Sequence, residues 1–407
     1  MFIVYQTEEL RMEYLLDVQI DPSKHYIKVL CTIKNRVSNT LYINENFIIH
    51  SVTAKGKVIS HHMDRSAPHP PFDTISRPII FDTEEKDIEL EYEGYIPEII
   101  ADINQINEDV IELACYAGWY PKPEDSCTLF TFDLHLSIPK GYELASNGII
   151  EYEDTTHIIS KEEQSDIAIF ASNKVRKIVI DDYAIRMVFL CPEEILPMIA
   201  GRALDIAKAN SFYTELYGEI HTQSAKNEII SVLRPCGGWG YKRGNVSFVS
   251  YEWGFNELHY VGDFHELAHG WWSIANMTSE DWINEGGAEF SAYSAAKYIY
   301  GEEYANGMIA NYLENIMNSQ SVHSIVDTSA SSEDRYLNHY TKTTIMFIEA
   351  QRLFGDERVF HMLRDLYQKF AGTRCATTED FLSSCEPEMK TYFQKRLYSD
   401  NWIDILI

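Results

Sequence analysis

The apolar pattern of this chain changes period once, near Pro192, and that single change limits what it can fold into. Upstream, runs such as "YIKVLCTIKNRV", "LYINENFIIHSV", "RPIIFDT", "DIELEYEGYI", "LFTFDLHLSIP", "HIISKE" and "IRMVFLC" are rich in β-branched and aromatic residues and are broken by Gly, Pro, Asn and Asp. Several alternate apolar with polar, which places every second side chain on one face of a strand. A series of such runs predicts an all-β sandwich or saddle-shaped sheet over residues 1–190. Downstream, "EEILPMIAGRALDIAKANSFYTELYG" has helical spacing and stops at Gly218. Two strand-like runs follow, "NEIISVLRP" and "NVSFVSYEWG", and then helical patterns around 262–275, 280–300, 303–319, 334–354, 356–371 and 377–398. These predict a second, mainly helical domain over 191–407, so the fold class is α+β with two domains.

The chemistry concentrates in "DFHELAHGWWSIANMTSEDWINEGGAEF", residues 263–290. His265 and His269 are four apart, so on a helix both imidazoles leave one face, a turn apart. Neutral imidazole is a good zinc ligand, and a catalytic zinc site takes three protein ligands while keeping a position for water. Glu266, directly after the first histidine, is placed to take a proton from that water without being a ligand. Glu285 lies near the start of the next helix and is followed by Gly286 and Gly287. Two glycines inside a helix cost about 1 kcal/mol each relative to alanine, a cost that implies close approach of another element. The histidine helix is the expected neighbour, which makes Glu285 the expected third ligand. Glu289, one turn further on, is a candidate to orient a histidine from behind. The bland alternative is an aromatic-rich helical hairpin with solvated histidines.

Together, "HELAHGWW", "WINEGGAE" and "YLNHYTKTTIMFIEAQRLFG" resemble the aminopeptidase-N-like zinc metallopeptidases, a gluzincin family. The resemblance implies one Zn2+ per chain on His265, His269 and Glu285, with Glu266 as general base. It also implies that Tyr340 is a catalytic tyrosine, donating to the oxyanion that develops in the reaction. The fold it implies is a saddle-like β-domain on a thermolysin-like catalytic domain. "AGWYPKPED" followed by "FTFDLHLSIPKGYELASNGII" is similar to the family's β-domain, where a loop reaches the active site. The large helical C-terminal domain of many members is not expected here. The implied activity is hydrolysis of a peptide substrate, aminopeptidase-like.

Two places depart from the family pattern. The spacer between His269 and Glu285, fifteen residues, is shorter than the family's. The family's GAMEN-like segment, whose glutamate holds the substrate's free α-amine, corresponds here to "RPCGGWGYKRGNVSFVS". Gly237 and Gly238 keep a glycine pair against which substrate backbone can lie, and Trp239 is the third candidate substrate-binding residue. The glutamate itself is replaced by the neighbourhood of Trp239, Gly240 and Tyr241. Amine recognition then falls to another acid, either the free oxygen of Glu285 or a residue such as Glu124 or Asp125. Lys242 and Arg243 would oppose an ammonium, or bind a carboxylate, if they pointed inward. Outward, solvated side chains are the expected fate of such a pair. The competing functions are an endopeptidase, a hydrolase of a modified amine substrate, or a non-catalytic, metal-stabilised peptide-binding protein. Retention of both Glu266 and Tyr340 argues against the last.

Composition narrows the partners. A formal charge of −28 repels a phosphate backbone, so neither nucleic acid nor an anionic membrane surface is an expected partner. No apolar run approaches the roughly 20 residues of a membrane span. "MFIVYQTEELRMEYLLDVQID" lacks a basic leader, and seven scattered cysteines form no CxxC pair. The expected location is the cytoplasm, with reduced thiols. Oligomeric state has no signature in the sequence.

Overall fold

The computed structural model describes residues 11–70, 73–96, 103–124, 127–152, 155–234, 239–251, 259–319 and 323–402. The chain divides into two compact units, Met1–Lys174 and Val175–Ile407. The first is all-β apart from short 3-10 turns, and the second combines a sheet with helices, as expected for an α+β chain of two domains.

The first unit is organised by an eight-stranded sheet. Its centre is Met12–Asp21, paired in parallel with Phe130–Ser137 and antiparallel with Tyr26–Lys34. Alternation drives this strand: Tyr14, Leu16, Val18 and Ile20 are buried, and the residues between them face outward. The "AGWYPKPED" stretch feeds the core of this same unit. Trp119 and Tyr120 are fully buried; the Trp119 indole donates to the Ile167 carbonyl (3.2 Å), and the Tyr120 hydroxyl donates to Asp166 (2.8 Å). Glu124 accepts from the Tyr42 hydroxyl at 3.1 Å, whereas Asp125 lies outside the described residues.

The second unit begins well before residue 191, because Arg176–Ile180 and Arg186–Cys191 belong to its sheet. The strand order is Arg176–Ile180, Arg186–Cys191, Glu228–Arg234, Val246–Ser250, Tyr241–Arg243. The middle three are parallel to one another, and the two edge strands run antiparallel to their neighbours. A parallel pair needs a crossover. Helix Ile199–Tyr217 supplies it between Arg186–Cys191 and Glu228–Arg234, which explains why "IRMVFLC" reads as a strand yet sits in the helical unit.

Beyond the sheet come the elements that carry the chemistry: the histidine helix Val261–Ala268, the glutamate helix Asp281–Tyr300, and a π-helical turn, Tyr336–Lys342, that runs directly into helix Thr343–Phe354. Helices Glu302–Asn318 and Asp356–Phe370 match their expected ranges closely. The expected helix over 377–398 is two, Thr378–Ser384 and Pro387–Leu397, because Pro387 cannot continue a helix and starts a new one instead. The glutamate helix is buried along almost its whole N-terminal half, and the elements around it pack on every side. No helix among the described residues is long and apolar enough to cross a membrane. The described cysteines are free thiols.

Candidate metal centre

The histidine helix ends at His269, which keeps helical backbone angles as its C-cap. The chain then tightens: the N–H groups of Trp271 and Trp272 both donate to the Ala268 carbonyl at 2.9 Å. That turn brings the Trp272 carbonyl under the ring it follows, where it accepts from His269 Nδ1 at 3.0 Å. A carbonyl can only accept, so the proton of the neutral His269 ring sits on Nδ1 and its lone pair on Nε2. His265 is arranged the same way by a different partner. Its Nδ1 faces the Glu289 carboxylate at 2.7 Å, which leaves Nε2 pointing forward.

The two Nε2 atoms are 3.2 Å apart, and each is 3.3 Å from Glu285 Oε2. Three acceptor atoms thus form a nearly equilateral triangle. Ligands about 2.0–2.1 Å from a tetrahedral zinc stand roughly 3.3–3.4 Å from one another, so the triangle has the size such an ion requires. Three converging lone pairs repel unless a cation lies among them. In the metal-free chain a proton takes that place: burial pushes the His265 pKa down, but hydrogen bonds to Glu285 and Glu289 outweigh it and hold it well above 6.5. Burial raises Glu285 while His269 and Arg335 act against it, and the carboxyl ends well below its ordinary range. Glu289 is likewise lowered, its burial outweighed by the hydrogen bond to His265. The donor set fits a zinc ion.

The short spacer closes because the chain is pinned to the glutamate helix. The Asn284 side chain accepts from Ala275 N–H (3.1 Å) and donates to Ala275 C=O (2.9 Å). Two glycines let neighbours approach, and the structure corrects the expected neighbour. A Cβ on Gly287 would fall 2.4 Å from the Trp272 ring, just beyond the histidine helix. A Cβ on Gly286 would fall 2.1 Å from Thr343 and 3.0 Å from the His339 carbonyl, on the tyrosine side of the site. One glycine admits the histidine turn and the other admits the segment carrying Tyr340.

Tyr340 stacks on His265 with ring centroids 5.4 Å apart and an interplanar angle of 10°. Its hydroxyl accepts from Arg335 at 3.1 Å. Burial, then the charge of Glu285, raise the Tyr340 pKa, and Arg335 works against them. Arg335 also donates to Glu285 Oε1 (2.8 Å) and grips Asp281 through two bonds of 2.6 and 3.2 Å. Asp281 is held from another side by His339 Nδ1 at 2.9 Å. Arg335 escapes a 3.6-residue reading because a π turn, in which bonds run from i to i+5, sets it against Tyr340 five residues later, and Asp281 escapes because its partners Arg335 and His339 are more than fifty residues away. The available signal was an arginine in the same segment as the tyrosine.

Glu266 is buried beside His265, and its Oε2 has no hydrogen-bond partner among the described residues. Burial raises its pKa, with His269 the chief opposing charge and Lys242 among the others. Of the three candidate substrate-binding residues, Gly237 and Gly238 lie outside the described residues. Trp239 is 46% exposed, and its carbonyl accepts from the Arg234 guanidinium. Lys242 and Arg243 are not outward and solvated: both are buried, because "YKR" forms the edge strand Tyr241–Arg243 rather than a loop. Register with Val246–Ser250 puts Lys242 on one face of the strand and Arg243 on the other with Tyr241, and both faces are covered. Arg243 lies over the Tyr241 ring, 5.3 Å from its centroid.

Solved structures with a similar fold include an M1 zinc metallopeptidase and an LTA4 hydrolase. An M1 zinc metallopeptidase from Deinococcus radiodurans aligns with a TM-score of 0.72 at 12% identity, covering 96% of this chain and 93% of its own. LTA4 hydrolase from yeast aligns with a TM-score of 0.73 at 14% identity, covering 95% of this chain and 67% of its own. The chain has the two-domain fold of the M1 metallopeptidase. A variant of the Deinococcus enzyme has been solved with a Tyr-Ser-Ala substrate, and the yeast enzyme with bestatin. No protein-family model matches the sequence, and no curated protein matches it.

Proposed function

We propose that this chain is a zinc-dependent metallopeptidase, with His265, His269 and Glu285 holding one metal ion, Glu266 acting as general base and Tyr340 as oxyanion donor. The observation that carries the reading is the 3.2–3.3 Å triangle of two imidazole nitrogens and one carboxylate oxygen, with a buried, unpartnered carboxylate next to it. When bound, zinc supplies a Lewis acid that polarises the scissile carbonyl and acidifies the attacking water.

The chain's own residues do the rest. Glu289 and the Trp272 carbonyl fix both imidazoles in the tautomer that presents Nε2. Arg335 occupies Glu285 Oε1, so only Oε2 is offered to the metal. Glu266, with its pKa raised by burial, accepts the proton of the attacking water and passes it to the leaving amine. Tyr340 accepts a hydrogen bond from Arg335, which polarises its O–H as a donor to the oxygen that gains charge, while burial and the charge of Glu285 keep the hydroxyl protonated.

Aminopeptidase-like specificity draws support from the shared fold. A second reading, cleavage of peptides without a free α-amine at this site, has two observations behind it. Glu285 Oε1, the oxygen left over for an ammonium, is already engaged by Arg335. Lys242 brings a positive charge toward Glu266. We favour the second. The test is cleavage of a defined peptide library by zinc-loaded protein, each peptide present with a free and an acetylated N-terminus. Chelator should abolish turnover and zinc restore it, and Glu266→Gln should stay inert with zinc bound. Full activity of Glu266→Gln would eliminate the hydrolase reading. Strict dependence on the free amine would restore the aminopeptidase.

A further inference from the structure

Lys242, whose charge faces Glu266, has no part in the mechanism above. It is 9% exposed on the edge strand Tyr241–Arg243, and its ammonium has no hydrogen bond or ion pair among the described residues. The cationic neighbours on this edge are engaged: Arg243 donates to the Lys242 carbonyl and covers the Tyr241 ring, and Arg234 donates to the Trp239 carbonyl. The charge that Lys242 meets is Glu266. That carboxylate is itself buried with an unpartnered oxygen, and it must be free to take a proton during turnover.

With its stem buried and its ammonium without a partner among the described residues, Lys242 offers an arriving anion a charge-assisted hydrogen bond. Burial pushes the Lys242 pKa down to about 8, opposed by Glu266, so the group still carries its proton at neutral pH. Lysine at this place is a point charge on a flexible stem, suited to a carboxylate whose exact position varies.

We infer that Lys242 is a substrate-recognition residue that binds a carboxylate on the peptide, close to the scissile bond. This rests on the metallopeptidase reading and names its substrate class: peptides bearing an acidic group at the site. The carboxylate has two possible sources, an acidic group on the N-terminal side of the scissile bond or the C-terminal carboxylate of the peptide.

The experiment separates them. One peptide is prepared with succinyl or acetyl at its N-terminus, and independently with a free acid or an amide at its C-terminus. The readout is the ratio of kcat/KM within each pair, which cancels any general change in activity. Zinc-loaded wild type should prefer the charged member of one pair by about tenfold to a hundredfold, the range expected of a hydrogen bond to a charged group. Lys242→Met should bring that ratio close to one, Lys242→Arg should keep most of it, and Lys242→Glu should invert it in favour of the uncharged member. Equal rates within both pairs for wild type would overturn the inference without any variant being needed. So would a Lys242→Met protein that is slower on every peptide with its ratio unchanged, since the ammonium would then serve Glu266 and not substrate. Should no peptide be cleaved at all, the metallopeptidase reading fails on its own terms. Calorimetric binding of the same four peptides to zinc-loaded Glu266→Gln then still decides the role of Lys242: a charged-member preference supports it, and equal affinities refute it.

Discussion

Two carboxylates stand on the glutamate helix within reach of His265, and the structure gives them different tasks, so changing each should have a different outcome. Glu285 Oε2 is 3.3 Å from both imidazole Nε2 atoms, which is the position of a ligand. Glu289 Oε2 is on the far side of the ring, 2.7 Å from Nδ1, and its Oε1 accepts from the Tyr312 hydroxyl at 2.6 Å. Glu289→Gln keeps one acceptor but loses the charge that makes His265 a more basic ligand. Orienting partners of this kind are worth roughly 10- to 100-fold in metal affinity, or about 1.4–2.8 kcal/mol. Tyr312→Phe removes one neutral donor to Glu289 and should cost less than about tenfold. Glu285→Gln replaces the proposed carboxylate ligand with an amide whose single oxygen can serve either the metal or Arg335 but not both, so zinc should be lost on dialysis. Competition for zinc against a chromophoric chelator measures all three. An order of Glu285, Glu289, Tyr312 from greatest to least effect is expected. Full zinc affinity in Glu285→Gln together with its loss in Glu289→Gln would refute the assignment.

Tyr340→Phe should lower kcat by about 10²–10³ with little change in KM, read from steady-state kinetics on a single peptide. Arg335→Met strips Asp281, whose side chain is 1% exposed, of two bonds; a loss on the order of 3 kcal/mol is expected in a denaturant melt of the metal-free protein. Gly287→Ala puts a methyl group into the Trp272 ring and should cost about 1–3 kcal/mol in the same melt, with a parallel loss of zinc affinity. The raised His265 pKa makes the metal-free and zinc-loaded proteins respond to pH in opposite senses. Its contribution to metal-free stability is complete below 6.5 and is lost as pH rises through the higher folded value, so the metal-free Tm should fall over that window. Zinc must displace the same proton, so zinc affinity should rise as pH rises and binding should release protons into a weakly buffered indicator solution. A metal-free Tm independent of pH above 6.5 would count against this arrangement of His265 between two carboxylates.

What the sequence made legible, and what it hid, follows from the range over which each signal acts. The i, i+4 histidines and the glycine-flanked Glu285 are local patterns with a chemical reason for their spacing, and the structure brings all three side chains together. The domain boundary was misplaced because "IRMVFLC" is a good strand in either unit; only its pairing with Glu228–Arg234 decides which sheet owns it, and pairing is long-range. Arg335 was hidden because a π turn breaks the 3.6-residue period that would place it on a face with Tyr340. Lys242 was hidden by composition: a Gly-rich stretch with adjacent basic residues reads as a solvated loop, and nothing local says that three of its residues add an edge strand against the histidine helix. These two cations do opposite things with the same acidic neighbourhood. Arg335 is saturated by Asp281, Glu285 and Tyr340 and therefore fixes geometry. Lys242 has no partner among the described residues, and an unpaired charge facing Glu266 is where a substrate carboxylate can supply the missing one.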